Sequence, residues 1–179
     1  MAVRLRPVSR VIVFDTLGQY DLTGYIYIHQ PGDLKMILRE RLKSSFRVMY
    51  QPKEGALEKH FEAVTQIVIA CGSMIYAVDE VDRFCSASWL PEGLKDLVNY
   101  GRHRKVSCLF TSRRPAQVAR ELTSQCSEFR LFRTTEPRDL SYYSDCIGIA
   151  SEKLSGLEQF SYLLWRDDGS EPEVLKSAS

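Results

Sequence analysis

Two adjacent carboxylates, Asp79 and Glu80, close the apolar run Met74-Ile-Tyr-Ala-Val78. Such a run reads as a buried parallel strand, which delivers the residues after it to the carboxyl edge of its sheet, where open α/β folds bind ligands. A carboxylate pair at that edge suits phosphoryl transfer: one acid helps to hold Mg²⁺ and its neighbour polarises the attacking water. In chain order Asp79 is the metal-side acid and Glu80 the base. A second polar cluster, Thr111-Ser112-Arg113-Arg114, follows the apolar run Val106-Ser-Cys-Leu-Phe110. If these two strands are neighbours the cluster faces the carboxylates, and a hydroxyl such as Ser112 or a cation such as Arg113 is placed to sense a γ-phosphate. No Gly-rich loop ending in Lys-Ser or Lys-Thr occurs in the 179 residues, so the usual phosphate cradle is missing from this sequence.

The elements that must position these groups follow from hydrophobic period. Short apolar runs alternate with stretches of helical spacing, the pattern of a mostly parallel α/β sheet flanked by helices. Val11–Phe14, Tyr25–Ile28, Phe46–Tyr50, Met74–Val78, Val106–Phe110 and Phe129–Phe132 read as strands. Gln30-Pro31-Gly32 reads as a turn, with Asp33 capping a helix through Leu34, Ile37, Leu38 and Leu42. Leu57, Phe61, Val64, Ile67 and Val68 share one face of a second helix. Leu94, Leu97 and Val98 mark a third, closed by Gly101 as a C-terminal glycine. A further helix is expected from Pro115 through Val118 and Leu122. Asp167-Asp-Gly169, between Ser161–Trp165 and Val174-Leu175, carries the signature of a C-terminal β-hairpin. With no repeat, low-complexity tract or linker, residues 1–179 are expected to form one domain.

Composition narrows the class. The chain is 44% hydrophobic and 26% charged with a net charge of +1, ordinary for a soluble globular protein. Residues 101–140 carry nine Lys/Arg against four Asp/Glu, while the remainder carries fifteen against nineteen. A basic segment of that kind suits phosphates or nucleic acid, and equally a solvated face. Five cysteines without a Cys-x-x-Cys pair, and three scattered histidines, argue for reduced, mostly buried thiols and against a zinc site. No run approaches the length of a membrane span and no signal-peptide core is present, which favours a cytoplasmic protein.

The order of motifs resembles the HerA/FtsK superfamily of P-loop ATPases, which includes DNA-pumping and DNA-packaging motors. The resemblance covers residues 8–165. It rests on Asp15-Thr-Leu-Gly-Gln-Tyr20, Arg47-Val-Met-Tyr-Gln-Pro52, Ala77-Val-Asp-Glu-Val-Asp-Arg-Phe84, Gly101-Arg-His-Arg104, Thr111-Ser-Arg-Arg-Pro115 and Leu131-Phe-Arg133. It implies a RecA-like P-loop NTPase-type fold, ATP and Mg²⁺ as cofactors, DNA as partner and a homo-oligomeric ring. It also implies site roles: Asp79 at the metal, Glu80 as base, Asp15 facing the nucleotide site, and Arg102 looking across a subunit boundary at a neighbour's γ-phosphate. For Asp15 the plain alternative is a turn-forming aspartate, and for Arg102 a solubilising basic loop. Lys105, Arg120 and Arg138 read as surface charges, and Tyr142 and Tyr143 as packing residues rather than base-stacking ones.

Two departures accompany the resemblance. The family opens with a strand, a phosphate loop and a helix, whereas Met1-Ala-Val-Arg-Leu-Arg6 is similar to the last turn of that helix. Where the family commonly has Gln before Arg-Pro, this chain has Arg113, a cation that contacts phosphate but accepts no hydrogen bond from water. The leading expectation is an ATPase-type domain of a DNA translocation or packaging motor of a virus, plasmid or mobile element. Its rival is a non-catalytic protein that keeps the fold as a DNA-binding or assembly module. An unrelated α/β domain with a coincidental Asp-Glu is the third reading.

Overall fold

Five strands of the computed structural model run parallel: β1 (Arg10–Phe14), β2 (Ile26–Ile28), β3 (Phe46–Tyr50), β4 (Met74–Val78) and β5 (Val106–Phe110), in the order β2-β3-β1-β4-β5. The structure describes residues 10–41, 44–53 and 55–176. Met1–Arg6, read above as the end of a helix, lie outside them. The chain falls into two compact units that divide between Arg113 and Arg114, and the parallel sheet belongs to the first.

The crossovers of the first unit are α1 (Pro31–Arg41), α2 (Leu57–Cys71) and α3 (Glu92–Tyr100), with α2 packed against both α1 and α3. Of the expected helical stripes, Leu34 and Leu38 on α1, Phe61, Val64, Ile67 and Val68 on α2, and Leu94 and Leu97 on α3 are buried; Ile37, Leu57 and Val98 are half-buried, and Leu42 lies outside the described residues. Aromatic rings join this layer to the sheet. Phe14 stacks on Tyr50 at 5.3 Å and meets Phe61 edge-on at 5.6 Å, while Phe61 stacks on Phe84 at 4.0 Å. The polar tips of the buried tyrosines are satisfied, Tyr50 by His60 Nδ1 at 2.5 Å and Tyr76 by Thr65 at 3.1 Å.

Three local expectations are corrected. Helix α1 starts at Pro31 rather than after Gly32, because proline is preorganised for a first helical turn and loses no hydrogen bond there. Gly101 closes α3 without the left-handed conformation (φ −55°); a Cβ there would sit 2.4 Å from the Leu97 carbonyl, so close approach explains the glycine. The cysteines are not buried: Cys71 and Cys108 are exposed and the other three intermediate. Cys108 lies on β5, which ends the sheet, so its apolar strand pattern does not imply burial.

In the second unit β6 (Glu128–Phe132), β7 (Ser161–Arg166) and β8 (Glu173–Lys176) form an antiparallel sheet, with the hairpin between β7 and β8 as expected. The continuous helix expected from Pro115 is instead one 3₁₀ turn, Pro115–Gln117, followed by α4 (Arg120–Thr123). Two more helices follow, α5 (Pro137–Ile147) and α6 (Ser151–Ser155). The core of this unit is Leu131, Ile149, Leu154, Leu157 and Leu163. Tyr142 is buried and bonded to Thr123 at 2.6 Å, with Arg120 over its ring at 5.4 Å, so it packs as expected.

Candidate functional site

Parallel register assembles the site. Phe14 is level with Tyr50 and Val78, and Val78 with Phe110, so Asp15, Gln51, Asp79 and Thr111 leave their strands side by side. The ladder continues through them: Asp15 N–H donates to Tyr50 O at 2.9 Å, Asp79 N–H to Phe14 O at 3.0 Å and Thr111 N–H to Val78 O at 3.0 Å. Four polar side chains therefore stand at one carboxyl edge, on backbone fixed by the sheet.

Asp79 is held from both sides. Thr111 Oγ1 donates to its Oδ1 at 2.6 Å, and the Tyr20 hydroxyl reaches the same oxygen at 3.3 Å. Thr16 Oγ1 donates to the Asp79 carbonyl at 2.5 Å. Among the described residues no hydrogen bond is made to Oδ2. The Tyr20 phenol is raised above its ordinary value, first by burial and then by the Asp79 carboxylate; it therefore stays protonated and remains a donor.

The Thr111 hydroxyl is a relay, since it also accepts the Glu80 N–H at 2.9 Å. Glu80 itself adopts a left-handed conformation, φ 55° and ψ 55°, at the start of a 3₁₀ turn, Val81–Arg83. Glu80 is 7% exposed, and its carboxylate is flanked by two cations, Arg113 Nε at 2.9 Å from Oε1 and Arg83 Nε at 2.6 Å from Oε2. The Arg83 contact is one of charge: no N–H is aligned on Oε2, which is buried without a hydrogen-bond donor. Glu80 thus stands beside Asp79 with one oxygen not committed to a hydrogen bond.

Asp15 is fully buried and its oxygens are spent locally. Oδ2 accepts the Tyr20 N–H at 2.9 Å and the Gln51 amide at 2.8 Å, and Oδ1 accepts the Gln19 N–H at 3.2 Å. It fixes the loop that carries Thr16 and Tyr20 to Asp79. Of the sequence-derived candidates the structure brings together Asp15, Asp79, Glu80 and Arg113. Ser112 is exposed, and its neighbour Thr111 makes the contacts to the acids. Arg102 precedes β5, at the amino end of a strand whose carboxyl end carries Thr111. It lies a strand's length from the acids of its own chain.

No family model matches the chain, and no curated protein does. Solved structures do. The genome packaging NTPase B204 from Sulfolobus turreted icosahedral virus 2, in complex with AMPPCP, superposes with a TM-score of 0.75 at 18% identity, over 96% of this chain and 84% of that one. The chain shares the fold of that protein. The same viral protein in complex with ATP-gammaS gives 0.73 at 18% identity, over 95% and 83% of the two chains. B204 from Sulfolobus turreted icosahedral virus, a DNA-packaging ATPase, gives 0.69 at 18% identity over 96% and 84%. At this identity the likeness is one of fold, the α/β NTPase type that the motif order resembles.

Thr111, Tyr20, Thr16 and Gln51 are the site residues that sequence reasoning did not single out. Thr111 had a signal: it is the first residue past β5, in register with Asp79. Thr16 and Tyr20 had none, since a loop's side-chain direction is set by the buried Asp15 rather than by any period. Replacing Thr111 by valine keeps its shape but removes the relay, leaving Glu80 N–H and Asp79 Oδ1 short of a partner. The expected loss is about 1–3 kcal/mol of unfolding free energy. Urea unfolding measures it, and a change below about 0.5 kcal/mol would remove Thr111 from the site's framework.

Proposed function

We propose that this chain is the ATPase-type domain of a DNA-packaging or translocating motor of a virus, plasmid or mobile element, and that Asp79 and Glu80 form its hydrolytic pair. One observation carries the reading: on a genome-packaging NTPase fold, a framed carboxylate, one of whose oxygens takes no hydrogen bond among the described residues, stands beside a second carboxylate on a left-handed turn. That solved relatives in fold hold AMPPCP and ATP-gammaS supports ATP as the nucleotide.

Among the described residues no group of three acids, histidines or cysteines is placed to hold a metal ion by itself. Mg²⁺ takes one or two carboxylates and fills its remaining positions with water and phosphate oxygens, so Asp79 Oδ2 fits it. Bound there, Mg²⁺ would neutralise charge on the phosphates. Glu80 accepts a hydrogen bond from the attacking water and orients it. Arg113 reports phosphate occupancy through its link to Glu80, with Ser112 beside it at the rim. Asp15 is a positioning residue that acts through Tyr20 and Thr16.

Arg102 serves a neighbouring subunit, because the strand between it and Thr111 prevents it from reaching its own chain's acids. A homo-oligomeric ring is part of the proposal for that reason. So are action in the cytoplasm and the working of residues 1–179 as one domain. Among the described residues no helix is long and apolar enough to cross a membrane. Arg102→Ala should lower turnover of the assembled protein by about 10³-fold or more while ATP binding is kept. A normal rate would remove the trans role.

The second reading is a non-catalytic protein that keeps the fold as a DNA-binding or assembly module. Calorimetry of ATP with Mg²⁺ on the chain separates the two. Binding that Asp79→Asn weakens supports the hydrolytic site. No binding, by this sequence or by a form extended upstream in frame, leaves the module.

A further inference from the structure

The turn between α3 and β5 places Arg102, His103, Arg104 and Lys105 consecutively on the surface, all four exposed. No Asp or Glu occurs between Asp96 and Glu121, and among the described residues none of the three cations Arg102, Arg104 and Lys105 has an ion-pair partner. Tyr100, 58% exposed, adjoins them. Helices α2 and α3 both end at this edge of the sheet, and cations there complement their dipoles. One or two charges would satisfy that role, so it does not account for the whole run.

The turn is also rigid. Arg104 N–H donates to Tyr100 O at 3.2 Å, Lys105 N–H to Arg102 O at 3.0 Å and Val106 N–H to Gly101 O at 2.9 Å. A clip from the neighbouring α2–β4 turn completes it: Ser73 N–H donates to Arg104 O at 2.8 Å. Gly72 makes that approach feasible, with φ +63° and only 2.5 Å between a would-be Cβ and the Arg104 carbonyl. Arg10, at the start of β1, is level with Met74, itself level with Val106, which adds a fifth basic residue to the same amino edge. Fixed backbone lowers the ordering cost of a contact made through these charges.

We infer that residues 103–105 of this rigid basic turn are a docking site for the phosphodiester backbone of DNA, with Arg104 and Lys105 as its principal contacts. The observations favour nucleic acid over an acidic polypeptide. Most peptide recognition uses side-chain pockets, sheet edges or grooves, and the Arg clusters that read acidic motifs engage discrete phosphorylated or acidic residues. This turn offers point charges on a fixed frame and one exposed ring, which is the chemistry of sequence-independent backbone contact. The inference rests on the DNA-handling half of the proposed function and is independent of ATP chemistry.

The test is binding of a random-sequence DNA duplex to the intact chain by fluorescence anisotropy across a salt series. Arg104→Ala/Lys105→Ala is compared with the parent and with Arg138→Ala, an exposed cation of the second unit. Arg102 is left unchanged because it is assigned to a neighbour's nucleotide. Each phosphate contact contributes about 0.9 to the slope of log K against log salt, so the double variant should lose about 2 from that slope and at least tenfold in affinity at low salt. Arg138→Ala should match the parent, and ATP binding should be the same in all three. A double variant with the parent's slope and affinity overturns the inference. So does failure of the parent to bind DNA, which would leave an ATP site standing. Loss of binding to polyglutamate without loss of DNA binding would assign the turn to an acidic protein and also overturn it.

Discussion

Asp15→Ala should lower the unfolding free energy by about 3 kcal/mol, the largest stability effect expected from any single polar residue of the first unit. The carboxylate is fully buried and accepts three hydrogen bonds, two from backbone N–H groups of the loop it begins and one from Gln51. Truncation leaves those donors without an acceptor at the base of a solvent-facing loop. Each orphaned donor costs about 1–3 kcal/mol, less where water can reach it. Gln51 has a second acceptor, Tyr20 O at 3.0 Å, which moderates its share. Asp15→Asn keeps the volume and one strong acceptor, so its loss should be about half as large. Urea unfolding followed by circular dichroism reads both, and equal stability of parent and alanine variant would show that the loop does not depend on Asp15. Because that loop carries Thr16 and Tyr20 to Asp79, the same variant should weaken Mg²⁺-dependent ATP binding, a second readout on the site.

Asp15 also shows how far the sequence could be read. Its place at the end of an apolar run located it at the carboxyl edge, since strand period and crossover rules position whatever follows a strand. The same rule placed Asp79, Glu80 and the Thr111–Arg114 cluster together. It could not decide which atoms face a ligand. Asp15 faces inward because the loop folds back over it, and Thr111 meets the acids because one residue of register decides which side chain points across. Arg113 was legible as a cation near the pair, but its contact with Glu80 depends on the left-handed turn at residue 80, which no period announces. Cys108 misled for a related reason. An apolar strand pattern implies burial only for strands flanked on both sides, and β5 is an edge. In the second unit the hairpin was announced by Asp-Gly. The pairing of β6 with β7 joins segments about thirty residues apart and left no local trace.

Glu80→Gln should reduce ATP turnover of the assembled protein by about 10²- to 10⁴-fold while ATP binding persists, the range expected for loss of a positioned general base. The substitution is close to isosteric and leaves the Glu80 backbone bond to Thr111 untouched, so the turn should keep its form. The two arginines that lose their counter-charge are 39% and 66% exposed, and water screens most of that change. Thermal unfolding should therefore move by only a few degrees, and a collapse in rate would report chemistry rather than misfolding. Arg113→Ala separates the base from its clamp. If Arg113 couples phosphate occupancy to Glu80, its removal should slow turnover while ATP binding persists. Turnover of Glu80→Gln equal to the parent's would take the base role from Glu80 and leave Asp79 as a phosphate-side residue without a hydrolytic partner.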